Sequence, residues 1–199
     1  MTAFHVEITE DQVTRRLAEL LKAGENLTPA MRAISGLLND LTEEAFARQA
    51  QPGGPKWAPL ARSTIEGRIG RWAKAAGGTR KDGRISKAVA NRAAGAKLLQ
   101  DTGRLAASVH GSSGADFAQI GVSAVYAAIH QFGGKTSPST IRPKRAKALA
   151  IGDAVVKSAK HPGSTIPARP YLPLAGDSGQ LTAPAREGIL EILSRHFGA

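Results

Sequence analysis

Apolar side chains recur at helical spacing twice near the start of the chain. Val13, Leu17, Leu20 and Leu21 share one face of a first predicted helix. Thr9 and Gln12 form a capping box ahead of it, each side chain reaching the other's backbone N–H. Gly24 supplies a stop. In a second helix Thr28 is the cap, and Pro29 suits the first helical position because its missing N–H had no partner there. Its stripe is Ile34, Leu37, Leu38, Leu41 and Ala45. The two helices read as an antiparallel pair, or as a pair packed on a sheet.

Residues 50–60 cannot be helical, because three prolines and two glycines interrupt them. Trp57 in this loop reads first as an anchor to the core and second as a partner contact. Ser63 and Glu66 cap a short helix through Ile65, Ile69 and Trp72. From Lys74 to Ala96 the pattern fails, with Gly, Ala, Lys and Arg in place of large apolar residues. Such a stretch buries little surface and reads as a flexible or partner-ordered basic insertion.

Order returns at Leu98. Residues 106–110 and 117–122 read as short strands around a Gly-Ser-Ser-Gly-Ala-Asp turn. Tyr126, Ile129 and Phe132 fall at i, i+3 and i+6, which predicts a short helix ended by Gly133-Gly134. Residues 148–151 and 154–157 are candidate strands about a Gly152-Asp153 turn, and 161–173 is a Pro-rich loop. A last helix is predicted from about Asp177 to Arg195, with Ile189, Leu190, Ile192, Leu193 and Phe197 on its apolar side. The expected class is α+β in one domain spanning 1–199: N-terminal helices and a C-terminal helix packed on a small, mainly antiparallel β-sheet, with long loops.

Composition adds limits. With 42% hydrophobic and 22% charged residues, the 199-residue chain can bury an ordinary core. Cysteine is absent, which excludes disulfides, thiolate catalysis and Cys-ligated metal. No apolar run approaches the roughly 18–20 residues that span a bilayer, and the acidic start (Glu7, Glu10, Asp11) is unlike a signal peptide. No membrane partner is expected, and the protein reads as made and kept in the cytoplasm, or as reaching the outside only as part of an assembly. The net charge of +11 is concentrated in the middle: residues 62–104 contribute +8 and residues 105–160 contribute +5, whereas residues 1–61 contribute −2. The named patch is Arg68, Arg71, Lys74, Arg80, Lys81, Arg84, Lys87, Arg92 and Lys97. Such charge suits nucleic acid, an acidic protein surface, or simply water.

Catalytic patterns are not found. Gly133-Gly134-Lys135-Thr136 ends like a phosphate loop, but Ile129 stands where the first glycine is needed. Gly111-Ser112-Ser113-Gly114 is one residue too short for a serine elbow. His5, His110, His130, His161 and His196 never fall at i, i+4 spacing, and no carboxylate pair stands out. No enzyme activity, cofactor or metal site is expected. The basic residues come without a helix-turn-helix, a zinc finger or a stacking motif, so charge alone supports only salt-sensitive, non-specific DNA contact.

Five segments, in order, resemble the phage virion morphogenesis family, the tail-completion proteins of Mu-like and P2-like phages. They are Leu27-Thr28-Pro29-Ala30-Met31-Arg32-Ala33-Ile34, Pro52-Gly53-Gly54-Pro55-Lys56-Trp57-Ala58-Pro59-Leu60, and Leu98-Leu99-Gln100-Asp101-Thr102-Gly103-Arg104-Leu105 with Ser108 after it. The fourth, most distinctive, is Tyr126-Ala127-Ala128-Ile129-His130-Gln131-Phe132-Gly133-Gly134, and the fifth is Ile166-Pro167-Ala168-Arg169-Pro170-Tyr171-Leu172. Two departures are the basic insertion at 74–96 and Tyr171 in place of phenylalanine. The resemblance implies a virion protein that assembles into a ring, taken as a hexamer, at the head-proximal end of the tail. Its partners would be itself, other neck, connector and tail-tube proteins, and non-specifically the packaged DNA. A tail terminator capping the tube is the nearest alternative, and a non-specific DNA-binding protein the next. Candidate interface or structural residues are Trp57, Thr102, Gly103, Arg104, Tyr126, His130, Gln131, Phe132, Arg169, Pro170 and Tyr171. Thr102 and Gly103 form a turn that aims Arg104. His130 and Gln131 either lock their helix to a neighbouring loop or meet another subunit. Arg169 is expected to pair with a carboxylate of its own chain or of the next.

Overall fold

The computed structural model describes residues 11–75, 85–143, 147–151, 154–176 and 179–198. The elements are, in order, α1 (Asp11–Glu25), α2 (Thr28–Arg48), α3 (Arg62–Ala75), α4 (Lys87–Ala94), α5 (Arg104–Ala107), β1 (Val109–Ser113) and β2 (Ala118–Val122). They continue with α6 (Ala127–Phe132), β3 (Gly134–Lys135), β4 (Ser139–Ile141), β5 (Leu149–Ile151), β6 (Ala154–Val156), β7 (Ala159–His161), β8 (Thr165–Ile166), β9 (Leu174–Ala175), β10 (Gln180–Leu181) and α7 (Ala183–Phe197). The class is α+β. The strands form separate antiparallel pairs, β1–β2, β3–β8, β4–β7, β5–β6 and β9–β10, and no single sheet joins them among the described residues.

α2 is the axis of the molecule, because its apolar stripe is long enough to serve two clusters. Ile34 and Leu38 pack with Ala185 of α7, and Leu41, Ala118, Ile120, Ile189, Ile192 and Leu193 close around them. Two turns on from Leu38, Ala45 and Phe46 join Trp57, Leu105, Ala127 and Tyr171 in a second cluster. Each large side chain so buried contributes about 1.5–3 kcal/mol. Thr42, 1% exposed inside this stripe, donates its hydroxyl to Leu38 O at 2.8 Å and so carries no orphaned polar atom.

Several local expectations are corrected. Thr28 is the first residue of α2, not its cap; Leu27 holds the cap position with no side-chain bond, and Asn26 Oδ1 accepts from Thr28 N at 3.2 Å. Gly24 lies inside α1. α1 packs on α7 in place of pairing with α2, whose flanks are taken by α7, β1 and β2. His196 approaches Ala23 O at 2.9 Å there, and Leu21 stays 72% exposed, outside the core. Thr9 of the expected capping box lies outside the described residues. α3 starts at Arg62, which places Ser63 inside the helix. Its buried positions are Arg68 and Ala73, whereas Ile65 faces outward. Ser86 caps α4 by accepting from Val89 N, and α4 packs on α3, so residues 87–94 of the basic stretch form an element that apolar periodicity did not signal. Residues 104–107, read in part as strand, make the single turn α5, and β1 runs into the predicted turn as far as Ser113. α7 begins at Ala183, after the β9–β10 pair and with Pro184 in its first turn, and its Leu190 is exposed.

β3–β8, β4–β7 and β5–β6 are nested pairs of one long hairpin, since Gly134 faces Ile166, Ser139 faces His161 and Leu149 faces Val156. The expected strands at 148–151 and 154–157 are its outer end, and the Gly152-Asp153 turn between them lies outside the described residues. The predicted loop at 161–173 contains β8 and the end of β7.

Candidate assembly site

The residues singled out around Trp57 and Tyr171 come together as a latch. Trp57 is 6% exposed, stands edge-on to Phe46 at 5.8 Å, and donates Nε1–H to Pro170 O at 2.7 Å. Of its two readings, the structure supports the anchor. Tyr171 also meets Phe46, its ring tilted by 31° with the centroids 5.3 Å apart, and donates its hydroxyl to Ala127 O at 3.2 Å. Burial pushes the Tyr171 phenol up from 10.0 to about 12. Gln131, 3% exposed, uses one amide oxygen to accept from both Tyr171 N and Leu172 N, each at 3.0 Å. Arg169 pairs with carbonyls, not with a carboxylate: Nε donates to Ala58 O and Nη2 to Pro59 O, both at 2.8 Å. Its pKa is lowered by burial first and by the Arg68 charge second. Arg169 N donates to His130 O at 2.7 Å, closing α6 onto the Pro-rich segment. Three stretches far apart in sequence (residues 57–59, 127–131 and 169–172) are thus held by side chains whose polar atoms face their own backbone.

The distinctive run splits in two. Ala127 and Gln131 point inward, while Tyr126 (41%) and Phe132 (48%) remain exposed on the helix so pinned, with Val125 (98%) just before it. His130 lies between these faces. Its ring meets Tyr126 edge-on at 5.9 Å, and its Nδ1 is buried with no partner among the described residues. Burial, then the Arg169 charge, lowers its pKa. Gln131 and the His130 carbonyl, not the His130 ring, lock the helix to the neighbouring loop.

Gly133 explains why α6 must end where it does. Its φ of +73 is costly for other residues, and a Cβ there would stand 2.8 Å from Ala168 N. Gly103 (φ +72) opens α5 and leaves Thr102 and Arg104 exposed, as the expected turn requires.

The basic patch is only partly free. Arg68 is 8% exposed, donates to Lys97 O at 3.3 Å, and lies 3.6 Å from Asp101, which also pairs with Arg71. Arg92 covers the Trp72 ring at 4.7 Å, a cation–π contact. Arg68, Trp72, Arg92, Lys97, Gln100 and Asp101 line a groove of about 260 Å³. Lys74, Lys87 and Lys97 are exposed; Arg80, Lys81 and Arg84 lie outside the described residues. Sequence reasoning gave Asp101, Gln100 and Gln49 no role. Gln100 donates to Phe46 O at 2.8 Å, and Gln49, left-handed at φ 53, accepts from Leu98 N at 2.6 Å. For Asp101 the only available signal was its place beside Thr102-Gly103; Gln49 had none.

The fold and site together describe a small α+β scaffold with latched loops and outward apolar rings on a rigid helix. A comparison with family models agrees in kind: the chain belongs to the phage virion morphogenesis family, whose model matches residues 8–198. No curated protein and no solved structure matches it. Its role is therefore in the morphogenesis of a phage virion.

Proposed function

We propose that this protein is a structural component of the phage neck, which completes the tail and joins it to the head as a ring of identical copies. One observation carries the reading. Phe132 on α6, Tyr126 at its N-cap and Val125 just before it are exposed and largely apolar, yet the helix they flank is fixed by Gln131 and Arg169. A rigid, preformed apolar surface suits contact with another protein, because little ordering is left to pay on docking. The polar residues of the latch bind their own backbone, which fits a role in which no bond is made or broken and no cofactor is held. A hexamer is the stoichiometry proposed from the family resemblance. Repetition around a ring lets a modest contact suffice.

The test is negative-stain microscopy of particles from a phage lacking this gene. Full heads beside separate tails of normal length, joined again on adding the protein, support the reading. Tails of abnormal length would favour a terminator capping the tube. Intact infectious virions would overturn both.

A further inference from the structure

Among the described residues of the hairpin from 134 to 166, none is buried. Its root is firm: Thr136 N donates to Ser164 O at 2.9 Å, and Ser164 N to Thr136 Oγ1 at 2.8 Å, beside the latched loop. Outward of that root, among the described residues, β4 packs mainly on β7 and β5 mainly on β6. At roughly 3.3 Å per residue, the eight residues 134–141 alone reach about 25 Å. An isolated two-stranded ribbon is marginal in water, so this one is built to be covered.

Its chemistry narrows the cover. Lys135, Arg142, Lys147, Lys157 and Lys160 are exposed, and none pairs with a carboxylate among the described residues. Ile141 (45%) and Val155 (75%) are exposed among them. Phosphate would use the cations and leave these apolar side chains wet. A protein surface that is acidic beside an apolar groove uses both. The chain itself offers one. Asp40 and Glu43 are exposed on α2, and Glu43 rims a groove of about 230 Å³ in which apolar Phe46, Ala47, Ala106 and Val109 alternate with Asn39, Thr42, Gln100 and the cation Lys97.

We infer that the hairpin is an assembly arm that docks on the Asp40–Glu43 face of α2 in a second copy of this chain. Arm and face are different surfaces, so the contact is head-to-tail and propagates around a ring. The inference rests on the ring reading above and names its contact.

The test complements a phage lacking this gene with full-length variants. Lys157→Glu with Lys160→Glu reverses the arm; Asp40→Lys with Glu43→Lys reverses the face. Each pair alone is expected to lower infectious yield on the order of 100-fold, and all four in one chain to restore most of it. An unchanged yield with the face pair, or a four-site variant as poor as the arm pair while still melting like the parent, overturns the inference. Loss of DNA retention by the arm pair in that case would assign the arm to phosphate. A second measurement does not need infectivity. The chain lacks cysteine, so a chain with only Lys160→Cys and a tagged chain with only Glu43→Cys can join through one disulfide between copies when added oxidised glutathione takes up the two electrons and two protons the thiols give up. The mixed disulfide is expected in concentrated protein and in assembled particles; its absence from both, with folded chains, overturns the arm contact. Intact virions without the gene would instead end the joining reading, and the disulfide in concentrated protein would still report on the arm.

Discussion

Replacing Gln131 with methionine tests the latch at its centre. The side chain keeps its length and nearly its volume, so little cavity is opened, but the amide oxygen is lost. That oxygen is the acceptor for Tyr171 N and Leu172 N, each at 3.0 Å, in a region where Tyr171 is 1% exposed. A buried donor left without a partner costs about 1–3 kcal/mol. Two such donors give a loss of about 2–6 kcal/mol, a large part of the roughly 5–15 kcal/mol of a typical domain. For a chain of this size that corresponds to a fall in Tm of about 5–20 °C. Urea unfolding, with an unchanged slope, measures the loss directly. A loss below about 1 kcal/mol would refute the reasoning, since it would mean that another group satisfies both N–H groups. Phe132→Ala is the matched control. Its side chain is 48% exposed one residue away, and the change should cost the isolated protein no more than about 0.5 kcal/mol while lowering tail joining.

Arg169→Lys should destabilise by about 1.5–3 kcal/mol, because an ammonium cannot reach both Ala58 O and Pro59 O in the fork geometry; an unchanged urea midpoint would count against the latch. The Tyr171 phenol ionises near 10.0 when unfolded and near 12 when folded, so its contribution is complete below pH 10 and is lost as pH rises toward 12. Tyr171→Phe should remove that alkaline slope, worth about 2–3 kcal/mol, as read from urea midpoints across the range. His130 carries the opposite sign. Its folded pKa lies below the 6.5 of the unfolded chain, so its share of stability is present above 6.5 and falls as pH drops through the lowered value. His130→Gln should flatten this acidic slope, and a slope unchanged by the substitution would show that the ring is not the titrating group.

How much was legible follows from what leaves a local mark. The stripe Ile34, Leu38, Leu41 and Ala45 is one-sided burial at helical period, and α2 appeared from it as expected. The prolines around Trp57 and the glycines after Phe132 stop helices by backbone sterics alone, so the loop and the end of α6 were equally plain. One-sided periodicity failed where burial was not apolar. In α3 the buried positions are a charged residue, Arg68, and the small Ala73, and α4 is held by the single large apolar residue Val89 and by Arg92 over Trp72, patterns without a hydropathy period. The hairpin was half missed for the converse reason: β4 is exposed at every position, so burial selects no alternation along it.

The site shows the division most clearly. Sequence by itself determined the α+β class, the axis helix, the two loops and, through five ordered segments, the family. Only the tertiary structure decided that Gln131 and Arg169 turn inward while Tyr126 and Phe132 turn outward, and that α1 lies on α7. Those outcomes rest on hydrogen bonds between residues 40 to 111 positions apart and on which flank of α2 was already occupied. Such bonds form where the folded chain brings an acceptor within about 3 Å of a donor, and that proximity has no period along the sequence.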